Sequence, residues 1–250
     1  MEQALSLKNV SKSFGTFPVL KKISLDVTKH EFVSVIGPSG SGKSTLFHIL
    51  AGVEKSTSGE ILIAKKNVKD RRGKFGYMPQ EHSLLPWKTV RENIMMGPII
   101  LGESKAHARE KADELLKKFN LQNFSDNYPS TLSGGMQQRV ALLRTVLFNP
   151  SFLLLDEPFG SLDALTRQKA QLWLMEVWEQ FYASILFITH DIQEAILLSD
   201  RIYVLSDRPA AIVNEISVNL PRPRKLIHLT SPKAIALEKK LLFLLLKENI

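Results

Sequence analysis

Glycines, a lysine and hydroxyl side chains fall at phosphate-binding spacing in Gly37-Pro38-Ser39-Gly40-Ser41-Gly42-Lys43-Ser44-Thr45. The glycines let backbone N–H groups turn inward around phosphate oxygens, and the helix start that follows adds partial positive charge. Lys43 is expected to neutralise the β- and γ-phosphates, and the Ser44 hydroxyl to ligate Mg²⁺. The loop follows an apolar run ending at Ile36 and opens the segment Thr45 to Ala51, which reads as a helix. That strand–loop–helix setting is what the motif needs to work.

A second chemical cluster closes another apolar run, Leu153-Leu154-Leu155-Asp156-Glu157. Ligands of open α/β sheets sit at the carboxyl ends of the strands, so both acids are well placed. Asp156 suits Mg²⁺ held through water, and Glu157 suits polarisation of an attacking water. A third segment, Leu132-Ser133-Gly134-Gly135-Met136-Gln137-Gln138, has Ser133 as a candidate N-cap and two glycines with free N–H groups. Val140, Leu143 and Leu147 continue it at helical spacing. Read by itself, this segment is either a second anion-binding helix start or a plain helix cap.

The elements that must carry these residues are legible in outline. Phe32 to Ile36, Phe152 to Leu155 and Ile185 to Ile188 are short apolar runs bounded by Gly, Pro or polar residues. Such runs alternating with helical patterns predict an α/β fold with a largely parallel sheet covered on both faces. Leu5 to Val10 and Leu20 to Val27 alternate and predict flanking antiparallel strands. A helical insertion is expected from about Trp87 to Asn120, clearest over Ala106 to Phe119. Pro221-Arg222-Pro223-Arg224 reads as a turn or linker, and Pro232 to Lys247 as an amphipathic helix.

Composition bounds the rest. The chain has 250 residues, a formal charge of +8 and no cysteine, which excludes disulfides and cysteine–zinc sites. Basic residues form no run longer than Lys65-Lys66 or Arg71-Arg72, and aromatics do not interleave with them, so nucleic acid is not an expected partner. The six histidines are scattered, and His190 with Glu194 does not make a zinc-protease motif. The amino terminus has no apolar signal region, and Leu241 to Leu246 is far too short to span a bilayer.

The peptide Leu132 to Gln138 is identical to the signature motif of the ATP-binding cassette family, and the resemblance runs through nearly the whole chain in the family's order. It implies a P-loop NTPase fold, with a RecA-like mostly parallel sheet, an antiparallel β subdomain and a helical subdomain. A single domain over 1–250 is expected, its core and antiparallel part at about 1–85 and 150–220, its helical part at about 86–149, and a helical tail at about 225–250. Ser13-Phe14-Gly15 resembles the loop whose aromatic ring stacks on adenine. Phe17 lies close by, and only the neighbours' match favours Phe14. Gln80, in Gly76-Tyr77-Met78-Pro79-Gln80, resembles the glutamine that senses Mg²⁺. Ser161-Leu162-Asp163 resembles the D-loop, and His190 the switch histidine that holds the γ-phosphate.

The same resemblance implies partners. In this family the signature of one subunit closes on ATP held by the phosphate loop of another, so a second copy should complete each site through Ser133, Gly134, Gly135 and Asp163. A transmembrane permease and, indirectly, a solute-binding protein are expected, with the chain on the cytoplasmic face of the membrane. Ser83 to Ile94 and Pro158 to Arg167 resemble importer ATPases serving nitrate, taurine, aliphatic sulfonates and similar solutes. A non-transport ABC ATPase is disfavoured by the single cassette, the lack of a coiled-coil heptad run and the Leu84 to Trp87 segment. An exporter ATPase stays an open alternative, since some exporters also keep their ATPase as a separate chain.

Overall fold

Alternating apolar residues make the first two strands a hairpin in the computed structural model, which describes residues 2–81, 83–149 and 151–247. Strands β1 (Gln3–Phe14) and β2 (Phe17–Thr28) pair antiparallel, burying Leu5, Leu7 and Val10 with Ile23, Leu25 and Val27. Strand β3 (Phe32–Ile36) is buried at every residue and leads through the glycine loop into helix α1 (Lys43–Ala51). Strands β4 (Ser58–Ile63) and β5 (Lys66–Asn67) complete an antiparallel sheet in the order β2-β1-β4-β5.

The chain then builds β6 (Gly76–Met78), α2 (Val90–Ile100), α3 (Lys105–Lys118) and α4 (Gly134–Phe148). Strand β7 (Phe152–Asp156) and helix α5 (Ala164–Phe181) follow. β6 and β7 pair in parallel. Helix α2 starts with a reciprocal cap: Thr89 N–H donates to Glu92 Oε2 at 2.9 Å, and Glu92 N–H donates to Thr89 Oγ1 at 3.3 Å. It meets α4 closely at Gly97, where a Cβ would stand 2.8 Å from Phe148 Cα, so only glycine lets the two backbones approach.

The last third adds β8 (Ser184–Ile188), α6 (Ile192–Leu198), β9 (Arg201–Leu205), β10 (Ile212–Ser217) and α7 (Pro232–Lys247). β3 lies between β8 and β9, parallel to both, and β10 pairs antiparallel to β9. One apolar cluster joins Ile36, Ile196, Val204 and Val218 to Ala234 and Leu241 of α7. Leu241 is fully buried there, so its truncation to Ala would cost about 2–5 kcal/mol. The described chain divides into two compact units, residues 1–74 with 182–250 and residues 75–181.

The Pro221 to Arg224 stretch bends at Arg222 and Pro223 and is tied down by its arginines. Arg222 holds Asp200 Oδ1 at 2.8 Å and Leu198 O at 2.7 Å. Arg224 is buried, and its guanidinium donates to the carbonyls of Ile196, Ser199 and Val218. It closes the carboxyl end of α6, where carbonyls lack helical partners. Burial pushes its pKa down to about 10. No helix among the described residues is long and apolar enough to cross a membrane.

Candidate functional site

The phosphate loop leaves β3 at Ile36 and turns through two left-handed glycines, Gly40 at φ +75° and Gly42 at φ +109°. Side chains rarely adopt either conformation. At Gly42 space forbids one as well, because a Cβ would stand 2.8 Å from Val19 Cγ1 and 3.0 Å from Leu20 Cδ2. Lys43 opens α1 and is buried, with Nζ donating to Gly37 O at 3.0 Å and Pro38 O at 2.8 Å. The loop thus wraps its own ammonium. Ser39 and Gly40 are exposed, Gly37 and Ser41 are buried, and Pro38, Gly42, Ser44 and Thr45 are half-buried.

His190 belongs to the same compact unit and is exposed at the end of β8. Its neighbours are tightly built: Thr189 Oγ1 donates to buried Glu194 Oε2 at 2.5 Å, and Asp191 N–H donates to Thr189 Oγ1 at 3.0 Å. Asp191 caps α6 by accepting from the N–H groups of Gln193 and Glu194. Phe14 and Phe17 are directly opposed across the hairpin turn, 48% and 53% exposed. Opposed residues share one face of a sheet, so the two rings form one aromatic patch. Lys12 Nζ lies 4.4 Å from the Phe14 ring centre.

In the other unit, Asp156 ends β7 and is 1% exposed. Burial and the nearby Asp156 charge both push the Tyr77 phenol far up, so it stays protonated. Glu157 follows with φ +44°, a left-handed backbone that costs energy for any residue with a Cβ and is often found at functional sites. Gln80 Nε2 donates to Glu157 Oε2 at 3.3 Å. A carboxylate only accepts, so the amide NH₂ faces Glu157 and the amide oxygen is left to face elsewhere. The structure therefore brings Gln80 and Glu157 together.

Ser133 caps α4, its Oγ accepting from Met136 N–H at 3.4 Å. Ser133 and Gly134 are exposed. Gly135 is confined: a Cβ there would stand 2.6 Å from Thr166 Cγ2 at the start of α5. Asp163 caps that helix start, accepting from Thr166 N–H at 3.1 Å, and its hydrogen bonds with Thr166 hold its carboxyl below the usual range. The signature segment and the D-loop segment are thus neighbours.

Two supporting residues, Asn93 and Arg144, were given no role by the sequence. Asn93 is fully buried and shapes the segment after Gln80, accepting from Leu85 N–H at 2.8 Å and donating to the carbonyls of Leu85, Lys88 and Thr89. Arg144, on the signature helix, donates to Ser83 O at 2.7 Å. Desolvation lowers the Arg144 pKa. Their partners are main-chain groups, and the Ser83 carbonyl comes within reach of Arg144, 61 residues away, only through folding. Among the described residues, no cluster of three or more His, Asp or Glu could hold a metal.

A buried parallel strand feeding a glycine loop whose lysine opens a helix defines a P-loop nucleoside-triphosphatase. A family model described as ABC transporter matches residues 20–160. The aliphatic sulfonates import ATP-binding protein SsuB 1 of Shouchella clausii is 45% identical over 224 residues, covering 90% of this chain and 85% of that protein. A putative ATP-binding protein of Brucella abortus is 40% identical over 240 residues, covering 96% of this chain and 92% of that one. The dimeric structure of an ATP-binding cassette in a post-hydrolysis state, bound to ADP and Pi, matches at TM-score 0.74 and 34% identity, over 87% of this chain and all of that one. The chain belongs to the ABC transporter family and is one of its ATP-binding, ATP-hydrolysing cassettes.

Proposed function

We propose that this chain powers an importer of a small solute such as nitrate, a sulfonate or taurine. The observation that carries this reading is the 45% identity, over 90% of the chain, to an aliphatic sulfonates import ATP-binding protein. Residues 1–250 would work as one cassette, peripheral to the cytoplasmic face of the membrane and attached to a separate permease. The chain has one phosphate loop and one signature segment, and a similar cassette is dimeric in its ADP- and Pi-bound state. Two copies are therefore proposed to close head to tail, Ser133, Gly134, Gly135 and Asp163 of one completing the nucleotide site of the other.

Within each site, Phe14 would stack on adenine and the N–H groups from Gly37 to Thr45 would hold the phosphates. Lys43 would neutralise the β- and γ-phosphate oxygens, and His190 would hold the γ-phosphate. Glu157 would orient water and take its proton as the water oxygen bonds to the γ-phosphorus. The bond from phosphorus to the β,γ-bridging oxygen breaks, leaving ADP and inorganic phosphate. Gln80, hydrogen-bonded to Glu157, supports a role in setting the direction of that carboxylate. The donors Ser44, Asp156 and Gln80 are all oxygens, which fits Mg²⁺. When bound, Mg²⁺ supplies neutralisation of phosphate charge.

The test is affinity capture of the tagged protein from detergent-solubilised native membranes, with partners identified by mass spectrometry. A polytopic permease in about one-to-one ratio, together with cassette-dependent sulfonate uptake, is the expected result. Capture of soluble partners alone, from protein that still hydrolyses ATP, would overturn it.

A further inference from the structure

The turn after β9 carries a cation that the nucleotide motifs leave unassigned. Arg208 donates from Nε to the carbonyl of Gly40, in the phosphate loop. Its guanidinium carbon lies 5.8 Å from the centre of the Phe17 ring, within cation–π range. Its Nη2 would stand 3.0 Å from a Cβ placed on Gly40, so the planar fork covers the outer side of that peptide. One side chain therefore touches the phosphate loop and the aromatic patch together.

The backbone under Arg208 is braced. Ala210 N–H donates to Val19 O at 2.9 Å, and Lys21 N–H donates to Ala210 O at 2.8 Å. Ser206 N–H donates to Ala211 O at 2.9 Å, while Ala211 N–H donates to Ser206 Oγ at 3.0 Å. Val19 and Leu20 of the same β2 segment press on Gly42. β2 thus meets the loop directly at Gly42 and through Arg208 at Gly40.

The peptide joining Gly40 to Ser41 has its two poles on opposite sides. Its oxygen faces Arg208, and its N–H points back into the loop, donating to Pro38 O at 3.2 Å. Were that peptide to flip, the bond to Pro38 O would be lost and a carbonyl oxygen would point into the loop, where it would repel the phosphates proposed to bind there. A charged donor holding the oxygen outward opposes the flip.

We propose that Arg208 is a positioning residue for nucleotide binding, pinning the Gly40–Ser41 peptide with its N–H inward and tying the phosphate loop to the Phe14–Phe17 patch. The inference rests on the nucleotide site proposed above. A surface arginine without that role would tolerate replacement with no change in nucleotide affinity.

The test is fluorescent-nucleotide titration and steady-state ATP hydrolysis on full-length Arg208→Ala, Arg208→Lys, Phe17→Ala, the Arg208→Ala/Phe17→Ala double variant and Lys43→Ala. Arg208→Ala should raise Kd and KM about tenfold, with kcat within about twofold of wild type. Arg208→Lys, which keeps charge but not the fork, should recover most of this, to about threefold. The double variant should fall short of the product of the single effects by about threefold. Unchanged Kd and KM in Arg208→Ala, with binding lost in Lys43→Ala, would overturn the role of Arg208 alone. Binding retained in Lys43→Ala would overturn the nucleotide site itself. Equal falls in kcat and in nucleotide-free melting temperature for Arg208→Ala and Arg208→Lys, without a KM effect, would reduce Arg208 to a structural brace and also overturn the proposal.

Discussion

Replacing Gly42 with alanine tests the geometry of the phosphate loop before any chemistry is assumed. Two costs add. The backbone at φ +109° is left-handed, which charges a side chain about 1–2 kcal/mol. The new Cβ would also stand 2.8 Å from Val19 Cγ1 and 3.0 Å from Leu20 Cδ2, and both neighbours are buried. Overpacking of that kind costs about 1–3 kcal/mol. Together they predict a loss of roughly 2–5 kcal/mol, which in a chain of this size lowers Tm by about 4–20 °C. The two parts separate by adding Val19→Ala, which removes the closest clashing atom but leaves the backbone strain. Urea unfolding of the four species should show a favourable coupling of about 1 kcal/mol. Gly40→Ala is the control: its φ is +75°, and its Cβ would meet only the movable end of Arg208. It should cost about 1–2 kcal/mol, the strain alone. A Gly42→Ala protein as stable as wild type, or no more damaged than Gly40→Ala, would refute the reasoning.

Three further outcomes follow from the same contacts. Glu157→Gln should lower kcat by about 10²–10⁴-fold while nucleotide titration shows affinity retained, since the site loses a base but keeps its cradle; turnover near wild type would remove Glu157 from the mechanism. Asn93→Ala strips four hydrogen bonds from the segment at Leu85 to Thr89 and should cost about 2–3 kcal/mol by urea unfolding, with faster amide exchange at Leu85. Unchanged exchange there would show that the segment holds itself. Arg224→Met leaves carbonyls at the end of α6 without their buried donor and should destabilise by about 3 kcal/mol, whereas a neutral result would make Pro221 to Arg224 the simple linker that its composition suggests.

The parts of the chain with local signals were legible from composition and spacing. The runs at Phe32, Phe152 and Ile185 are the buried strands β3, β7 and β8, because a strand buried on both faces has no polar alternation to blur it. The amphipathic pattern over Pro232 to Lys247 is α7 over the same residues. β1 and β2 run longer than their alternation suggested, to Phe14 and from Phe17, because the tight turn at Gly15-Thr16 lets the pairing continue into polar sequence. β6, β9 and β10 and the short α6 carried too little periodicity to be seen.

What the sequence by itself determined was the chemistry on offer: a glycine loop with Lys43, paired acids at a strand end, and a capped glycine segment opening a helix. Those are contiguous, and their function depends on neighbours in the chain. Tertiary structure alone decided which distant groups act on them. It put Gln80 on Glu157, turned Glu157 into a left-handed backbone, buried Arg224 among carbonyls, and carried Arg208 to Gly40 across more than half of the chain. For Gln80, Arg224 and Arg208 the partner is an acceptor whose position follows from the packing of several elements, so no spacing rule along the sequence can reveal it.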